Sequence, residues 1–205
     1  MTIIITNFQM PDEIKGTKIS LKKVEQDDAA AMASISEALF SGTTTERIKQ
    51  TMSFFADSPE DLKSLTKTLN QCFEKNGFNY FIFRNNEAVG QLYGFPCGGI
   101  SNKTAISIWG WISDKALRQG CMREAVKMVE DVHFSKNSEP LEIFVRFNPC
   151  VEAFARSIKF RTQDKGAVRS YCKHREEWLR EQNPHVIVHH GKNLVASQKE
   201  HEGHE

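Results

Sequence analysis

The hydrophobic and polar positions at the amino-terminal end of the chain follow first a strand period and then a helix period. Apolar residues and lysines alternate over 17–24, which predicts a half-buried strand. Asp27 or Asp28 can then accept hydrogen bonds from the first turn of a helix, whose apolar residues recur at helical spacing up to Gly42. We therefore expect a strand followed by a capped helix.

A second helix and three strands are predicted in the middle of the chain. Ser58 can cap a helix that has Pro59 at its first position, with Asp61 where a capping box has its acid, and Gly77 ends it. Three apolar runs follow, at 79–83, 87–95 and 104–112, separated by turns at Asn85-Asn86 and at 96–99. Links this short favour antiparallel pairing.

After the third of these strands, a polar loop that ends at Gly120 leads into a long helix. The remaining predicted elements are a strand at 141–147, a short helix at 151–158, a strand at 167–172 and a charged helix that ends before Pro184. This order of strands and helices requires at least one parallel crossover. We divide the chain into an arm (1–16), one folded domain (17–182) and a polar, histidine-rich tail (183–205).

Composition limits the classes of protein that fit this pattern. The chain has 205 residues, 40% hydrophobic and 26% charged, which suits one domain with its own core. The formal net charge of +1 argues against a nucleic-acid partner. The cysteines never form Cys-x-x-Cys, and the tail histidines lack carboxylate or cysteine partners at ligand spacing, so no metal site is expected. Without a membrane-length apolar stretch or a leader pattern, we expect a cytoplasmic protein with no membrane partner.

Residues 118–123 have the composition of an anion-binding loop. Gly120 opens a helix, whose first N–H groups lack partners within the helix and carry the positive end of its dipole. Arg118, Gln119 and Arg123 add charge and donors, so a ligand with a diphosphate would fit. The spacing matches neither a nucleoside-triphosphate loop nor a dinucleotide fingerprint. On these residues alone, a glycine that only turns the chain is the alternative interpretation.

Four separated segments are informative in combination. They are IKGTKISLKKVEQDDAAAMA, SIWGWISDKALRQGCMREAVKMVEDVHF, VRFNPCVEAFARSIKF and AVRSYCKHREEWL. In this order they resemble the GNAT superfamily of N-acetyltransferases, and within it the RimJ/RimL-like ribosomal-protein N-terminal acetyltransferases. The resemblance covers about residues 14–180. It implies a mixed α/β (α+β) GNAT fold, in which a twisted, mostly antiparallel sheet is flanked by helices on both faces.

The resemblance also implies that acetyl-CoA is the co-substrate and that no metal is needed. In the family, the acyl-CoA loop cradles the diphosphate, and the end of the signature strand offers backbone N–H groups to the pantetheine arm and the thioester carbonyl. Asn148 matches an asparagine that helps to hold the arm. The cofactor-binding residues carried over are Trp111, Ile112, Ser113, Arg118, Gln119, Gly120, Cys121, Met122, Arg123 and Asn148.

Three side chains are candidates for the proton transfers that acetylation of an amine requires. Ser107 stands where many relatives carry a glutamate base, so Asp114, or a water held by the backbone, could take that role. A helix cap or a solvated loop carboxylate is the competing interpretation of Asp114. The hydroxyl of Tyr171 could protonate the leaving thiolate, or its ring could simply pack in the core.

The expected function is transfer of an acetyl group from acetyl-CoA to a primary amine, at a protein N-terminus or on a small molecule, by direct attack in a ternary complex. A homodimer is left open. The alternative is a GNAT-fold binding or regulatory module with impaired turnover, because Ser107, Leu117, Met122 and Val151 depart from the family pattern.

Overall fold

The computed structural model describes residues 10–49, 56–73, 77–98, 104–138, 140–145, 149–165 and 168–183. The elements in chain order are β1 (Glu13–Lys15), β2 (Ser20–Lys22), α1 (Ala29–Phe40), α2 (Thr44–Lys49), α3 (Pro59–Phe73), β3 (Phe78–Arg84), β4 (Glu87–Gly98), β5 (Thr104–Ile112), α4 (Cys121–Lys136), β6 (Leu141–Val145), α5 (Pro149–Ser157), β7 (Arg161–Lys165), β8 (Val168–Lys173) and α6 (Arg175–Gln182). The strands form one sheet in the order β1-β2-β3-β4-β5-β6-β8-β7. Neighbouring strands are antiparallel except β5 and β6, which are parallel.

The predicted helix starts are confirmed by their capping bonds. Asp28 accepts a hydrogen bond from the backbone N–H of Ala31 at 3.0 Å at the start of α1. Ser58 accepts one from the N–H of Asp61 at 3.2 Å at the start of α3. These bonds satisfy N–H groups that have no partner within the helix, so short polar residues fix where both helices begin.

Four elements differ from the sequence-based expectations. β1 lies within residues 1–16, which were expected to form an arm. It pairs with β2, so the sheet begins at Glu13. β4 continues through the predicted turn to Gly98. The short helix α2 and the polar edge strand β7 were not predicted, because Thr44–Lys49 and Arg161–Lys165 show no apolar period. Pairing with a neighbouring strand, rather than a local pattern, forms β1, the end of β4 and β7.

Two hydrophobic clusters cover the two faces of the sheet. One packs the inner side of α4 against β2–β5, through residues such as Val129, Tyr80 and Ile108. The other packs α1–α3 on the opposite face, through residues such as Ile35 and Phe81. The expected mixed fold, with a mostly antiparallel sheet and helices on both faces, is therefore confirmed. None of the helices in the described part of the chain is long and apolar enough to cross a membrane.

Candidate functional site

The sheet opens between the two parallel strands. Within the described residues, the β5–β6 ladder consists of the pairs Ile106–Leu141 and Ser107–Glu142. Both strands continue beyond these pairs, β5 to Ile112 and β6 to the end of its range, without further pairing. A gap therefore widens from Ser107 toward the loop that precedes α4.

Strand geometry decides which backbone groups face this gap. Ile106 donates to the carbonyl of Pro140 at 2.9 Å on the β6 side, and Ser113 donates to the carbonyl of Val89 at 2.9 Å on the β4 side. Because successive residues of a strand direct their N–H and C=O groups to opposite edges, Ile108, Gly110 and Ile112 face β6. The N–H of Ile108 belongs to the Ser107–Glu142 pair, so Gly110 and Ile112 are the residues that face the gap. Gly110 and Ile112, the open edge below, offer their backbone N–H groups to a ligand.

The prediction that Trp111, Ile112 and Ser113 all offer backbone N–H groups to the ligand needs correction. Ile112 belongs to the open edge, whereas Trp111 and Ser113 direct their N–H groups toward β4. The indole of Trp111 packs in the α1–α3 cluster, where its N–H donates to the side chain of Gln91 at 2.9 Å. A pattern of residue types cannot show this, since only the register with β4 fixes the direction of each N–H group.

The loop between β5 and α4 has the backbone of an anion site. Gly120 caps α4 in the left-handed region, at φ 82° and ψ 0°, and Arg118 lies there too, at φ 60°. No described residue accepts a hydrogen bond from the backbone N–H of Gly120, Cys121, Met122 or Arg123. Four donors at the positive end of α4 therefore point outward. A Cβ on Gly120 would meet nothing within 4 Å, so open space adjoins them.

The side chains of this loop divide into exposed and packed ones. Arg118, Gln119 and Arg123 are exposed beside the free N–H groups, whereas Cys121 is buried and offers only its backbone. Met122 is half-buried, and its methyl group lies 2.9 Å from where a Cβ on Gly110 would be, so it packs on the sheet. The long side chain of Met122 therefore does not fill the space outside the loop.

A shallow pocket of about 460 Å³ adjoins the loop. It lies between the β1–β2 turn and the first turns of α4, and its charged lining includes Lys18, Arg123, Lys127 and Glu124. The Glu124 carboxylate accepts from the backbone N–H groups of Thr17 and Lys18 at 2.7 and 2.9 Å. Burial raises the pKa of Glu124, but these hydrogen bonds outweigh it and lower the pKa below its usual value. Glu124 therefore holds the turn in place, and Lys18 and Arg123 remain to attract an anionic ligand, while Lys127 pairs with Asp131 at 3.0 Å.

Ser107 lies at the base of the gap, fully buried, where its hydroxyl accepts a hydrogen bond from the indole N–H of Trp109 at 3.0 Å. Its register partner is Glu142, whose side chain is buried to 1% exposure on the same sheet face. Ser170 donates to the Glu142 carboxylate at 2.8 Å. We did not predict Glu142 as a site residue; its signal in the sequence was a carboxylate inside an otherwise apolar strand.

Asp114 is engaged with the α1–α2 connection. Its carboxylate accepts hydrogen bonds from the N–H and hydroxyl of Thr43 and from the guanidinium of Arg47. The bond from the Thr43 N–H, together with those from the Thr43 hydroxyl and Arg47, holds the pKa of Asp114 below its usual value. A carboxylate stabilised in this way is a weak base, and it binds the α1–α2 connection rather than capping its own 3-10 turn, whose N-cap is Ser113.

Tyr171 is fully buried on β8. Its hydroxyl donates to the carboxylate of Glu152 at 2.9 Å and accepts from Arg156 at 3.1 Å, both on α5. Asn148 lies outside the described residues. Within the described part of the chain, no group of His, Cys, Asp and Glu side chains is arranged to hold a metal ion.

Proteins similar to this chain are found among solved structures. No protein-family model matches the sequence, and no curated protein matches it. Among solved structures, a Salmonella typhimurium acetyltransferase that modifies the N-terminal serine of ribosomal protein L7/L12 superposes with a TM-score of 0.61 at 19% identity, over 78% of this chain and 96% of that one.

Two further structures agree with it. RimL, a ribosomal L7/L12 α-N-protein acetyltransferase in complex with coenzyme A, has a TM-score of 0.60 at 17% identity, over 79% of this chain and 97% of that one. A probable GNAT-family acetyltransferase from Chromobacterium violaceum has a TM-score of 0.65 at 13% identity, over 84% and 96%. The chain therefore has the fold of the GNAT acetyltransferases, and its structural neighbours include the RimL enzymes that the sequence segments resemble.

Proposed function

We propose that the protein transfers an acetyl group from acetyl-CoA to a primary amine. The observation that carries this proposal is that the unpaired edge of β5 leads, through a single loop, to the N–H groups at 120–123, for which no described residue is an acceptor. A long ligand with a phosphorylated end and a thioester end would fit these two features together. The CoA complex of RimL, a protein of the same fold, supports that choice of ligand.

Each part of acetyl-CoA has a complementary surface in this arrangement. The diphosphate would accept hydrogen bonds from the N–H groups at 120–123, with Arg118 and Arg123 supplying charge. The pocket beside Lys18 and Lys127 would take the remaining nucleotide phosphate. The amide-bearing pantetheine arm would lie along the open edge, as an added strand does.

The chemistry needs no covalent enzyme intermediate. The neutral amine attacks the thioester carbonyl carbon, the carbon–sulfur bond breaks, the amine loses one proton and the thiolate gains one. We propose Ser107, with the carboxylate of Glu142 beside it, as the route for the amine proton, and Tyr171 as the donor to the thiolate. Asp114 was a candidate base, but its bonds to Thr43 and Arg47 favour a role in holding the loop.

A binding module without turnover is the second candidate. It is favoured by the burial of both proposed proton-transfer side chains, since Ser107 and Tyr171 are 0% exposed and already hydrogen-bonded within the protein. Such a protein would bind acetyl-CoA but would not release CoA when amines are added.

Calorimetric titration of the purified protein with acetyl-CoA and with CoA tests the proposal. We expect micromolar binding of both ligands, followed by CoA release when a peptide with a free N-terminus or a small primary amine is supplied. The same peptide with an acetylated N-terminus is the matched control and should release no CoA. Binding without release would support the second candidate, and no binding at millimolar ligand would contradict both.

A further inference from the structure

Charged hydrogen bonds join three parts of the candidate site that are distant in sequence. Asp114, the first residue of a short 3-10 turn after β5, accepts from the backbone N–H of Thr43 at 2.5 Å and from its hydroxyl at 2.9 Å. Arg47, on α2, donates to the Asp114 carboxylate through Nε at 3.0 Å and Nη2 at 2.6 Å. The same Nη2 donates to the carbonyl of Ile112 at 3.0 Å. We call the ion pair between these two side chains the Arg47–Asp114 bridge.

Gly42, in the connection between α1 and α2, and Thr44, at the start of α2, lie in close contact with Asp114. Gly42 has a φ of 61°, and a Cβ there would lie 2.5 Å from the Asp114 carboxylate, so a side chain is excluded on both grounds. The backbone N–H of Asp114 donates to the hydroxyl of Thr44, which is fully buried, at 3.0 Å. The connection between α1 and α2 is therefore attached to the start of the anion loop through both backbone and side chain.

The bridge lies at the mouth of the gap. Ile112 belongs to the open edge, so its carbonyl faces the gap, and Arg47 binds that carbonyl where β5 ends. Asp114 begins the turn that leads to Arg118 and Gly120. The bridge thus fixes the anion loop and the end of the open edge relative to each other. Charge-assisted bonds of a forked guanidinium are well suited to that role, because they define direction as well as distance.

We propose that Arg47 and Asp114 are positioning residues of the acetyl-CoA site and that they couple its occupation to α2. The inference rests on the proposed function, which supplies the ligand. A ligand held by the N–H groups at 120–123 stabilises the loop that precedes them, and the bridge transmits this stabilisation to 44–49. Coupling between two sites is reciprocal, so fixing α2 also favours binding at the loop.

Variants of the bridge and of a neighbouring ion pair test this inference. Asp114→Asn and Arg47→Ala should each weaken acetyl-CoA binding by about tenfold, as expected for loss of charge-assisted bonds that preorganise a site. The matched control is Lys115→Met in the same turn, which breaks an exposed pair with Glu87 at 3.0 Å and should leave affinity unchanged. Arg47→Lys keeps the charge but loses the fork, and its affinity should be intermediate.

Hydrogen exchange distinguishes positioning from general destabilisation. Acetyl-CoA should slow amide exchange across 44–49 in the wild type and in Lys115→Met. In Asp114→Asn or Arg47→Ala at saturating acetyl-CoA, it should slow exchange at 120–123 but no longer at 44–49. If Asp114→Asn or Arg47→Ala fails to fold, the same exchange measurement is made on Arg47→Lys. Wild-type binding with unchanged affinity and α2 protection in the bridge variants would overturn this inference alone, whereas no wild-type binding would overturn the proposed function as well.

Discussion

The groups that would bind a diphosphate at this site belong to the backbone rather than to side chains. The departures at Leu117 and Met122 therefore matter less than their residue types suggest. Leu117 is 41% exposed, and Met122 packs on the sheet against Gly110, so neither side chain replaces a free N–H group. The requirement falls on Gly120, whose positive φ glycine adopts at no steric cost and whose missing side chain leaves the space open.

Gly120→Glu is expected to abolish detectable CoA binding. The substitution would place a carboxylate in the space outside the free N–H groups and repel the diphosphate, with a loss of about a hundredfold or more in affinity. Calorimetric titration with CoA measures it. Gly120→Asn is the control for backbone strain, because asparagine tolerates a positive φ and adds no charge. Equal binding by Gly120→Glu and the wild type would remove the loop from the proposed site.

At the scale of elements, α4, β8 and α6 are joined by a buried cluster of charges. The ammonium of Lys173, on β8, lies 3.0 Å from Glu130 of α4 and 2.9 Å from Glu181 of α6. Burial raises the pKa of Glu130 to about 7, although the nearby Lys173 opposes the shift. The helix that begins at the anion loop is thus fixed farther along by a carboxylate that titrates near neutral pH.

The stability of the protein should therefore fall as pH rises from about 4.5 to about 7. Over that interval the folded state holds a proton on Glu130 that the unfolded state has released, so raising the pH favours unfolding, by about 3 kcal/mol in all. Glu130→Gln removes this titration and should flatten the slope. It should also lower stability, because Lys173 loses one of its partners.

Chemical denaturation of both proteins across this pH range measures the slope. Glu176→Gln, at an exposed position on α6, changes the net charge equally and should keep the wild-type slope. An unchanged slope in Glu130→Gln would contradict the assignment of the titration to Glu130.

At the scale of the whole molecule, the open sheet creates the site. A closed ladder between β5 and β6 would occupy the backbone N–H groups of Gly110 and Ile112, whereas the described ladder ends at Ser107 and Glu142. One strand is thus fully paired along one edge and available to a ligand along the other. This combination depends on where the helices place β6, and no single segment encodes it.

Amide exchange along β5 should alternate. The N–H groups of Gly110 and Ile112 face the gap and should exchange faster than those of Trp109 and Trp111, which face β4. Addition of CoA should slow the first pair and leave the second unchanged. Residue-resolved exchange measured by NMR, with and without CoA, checks both statements. Uniform protection of all four amides in the free protein would contradict an open edge.

Much of the fold could be predicted because its elements have strong local signals. The caps at Asp28 and Ser58 and the glycine before α4 mark where helices begin, and the meander of three strands follows from short turns. The polar edge strand Arg161–Lys165 could not be predicted in this way, because its sequence shows no apolar period and its pairing with β8 makes it a strand.

The candidate site was only partly predictable, for the same reason. The sequence by itself determined where the loop before α4 lies and which residues it carries, since a glycine, flanking arginines and a helix start are local features. The tertiary structure decided which N–H groups face the gap, that Asp114 binds Arg47, and that Glu142 lies beside Ser107. These contacts join residues that are far apart in the chain. Strand register and packing determine them, so they cannot be predicted from local residue patterns.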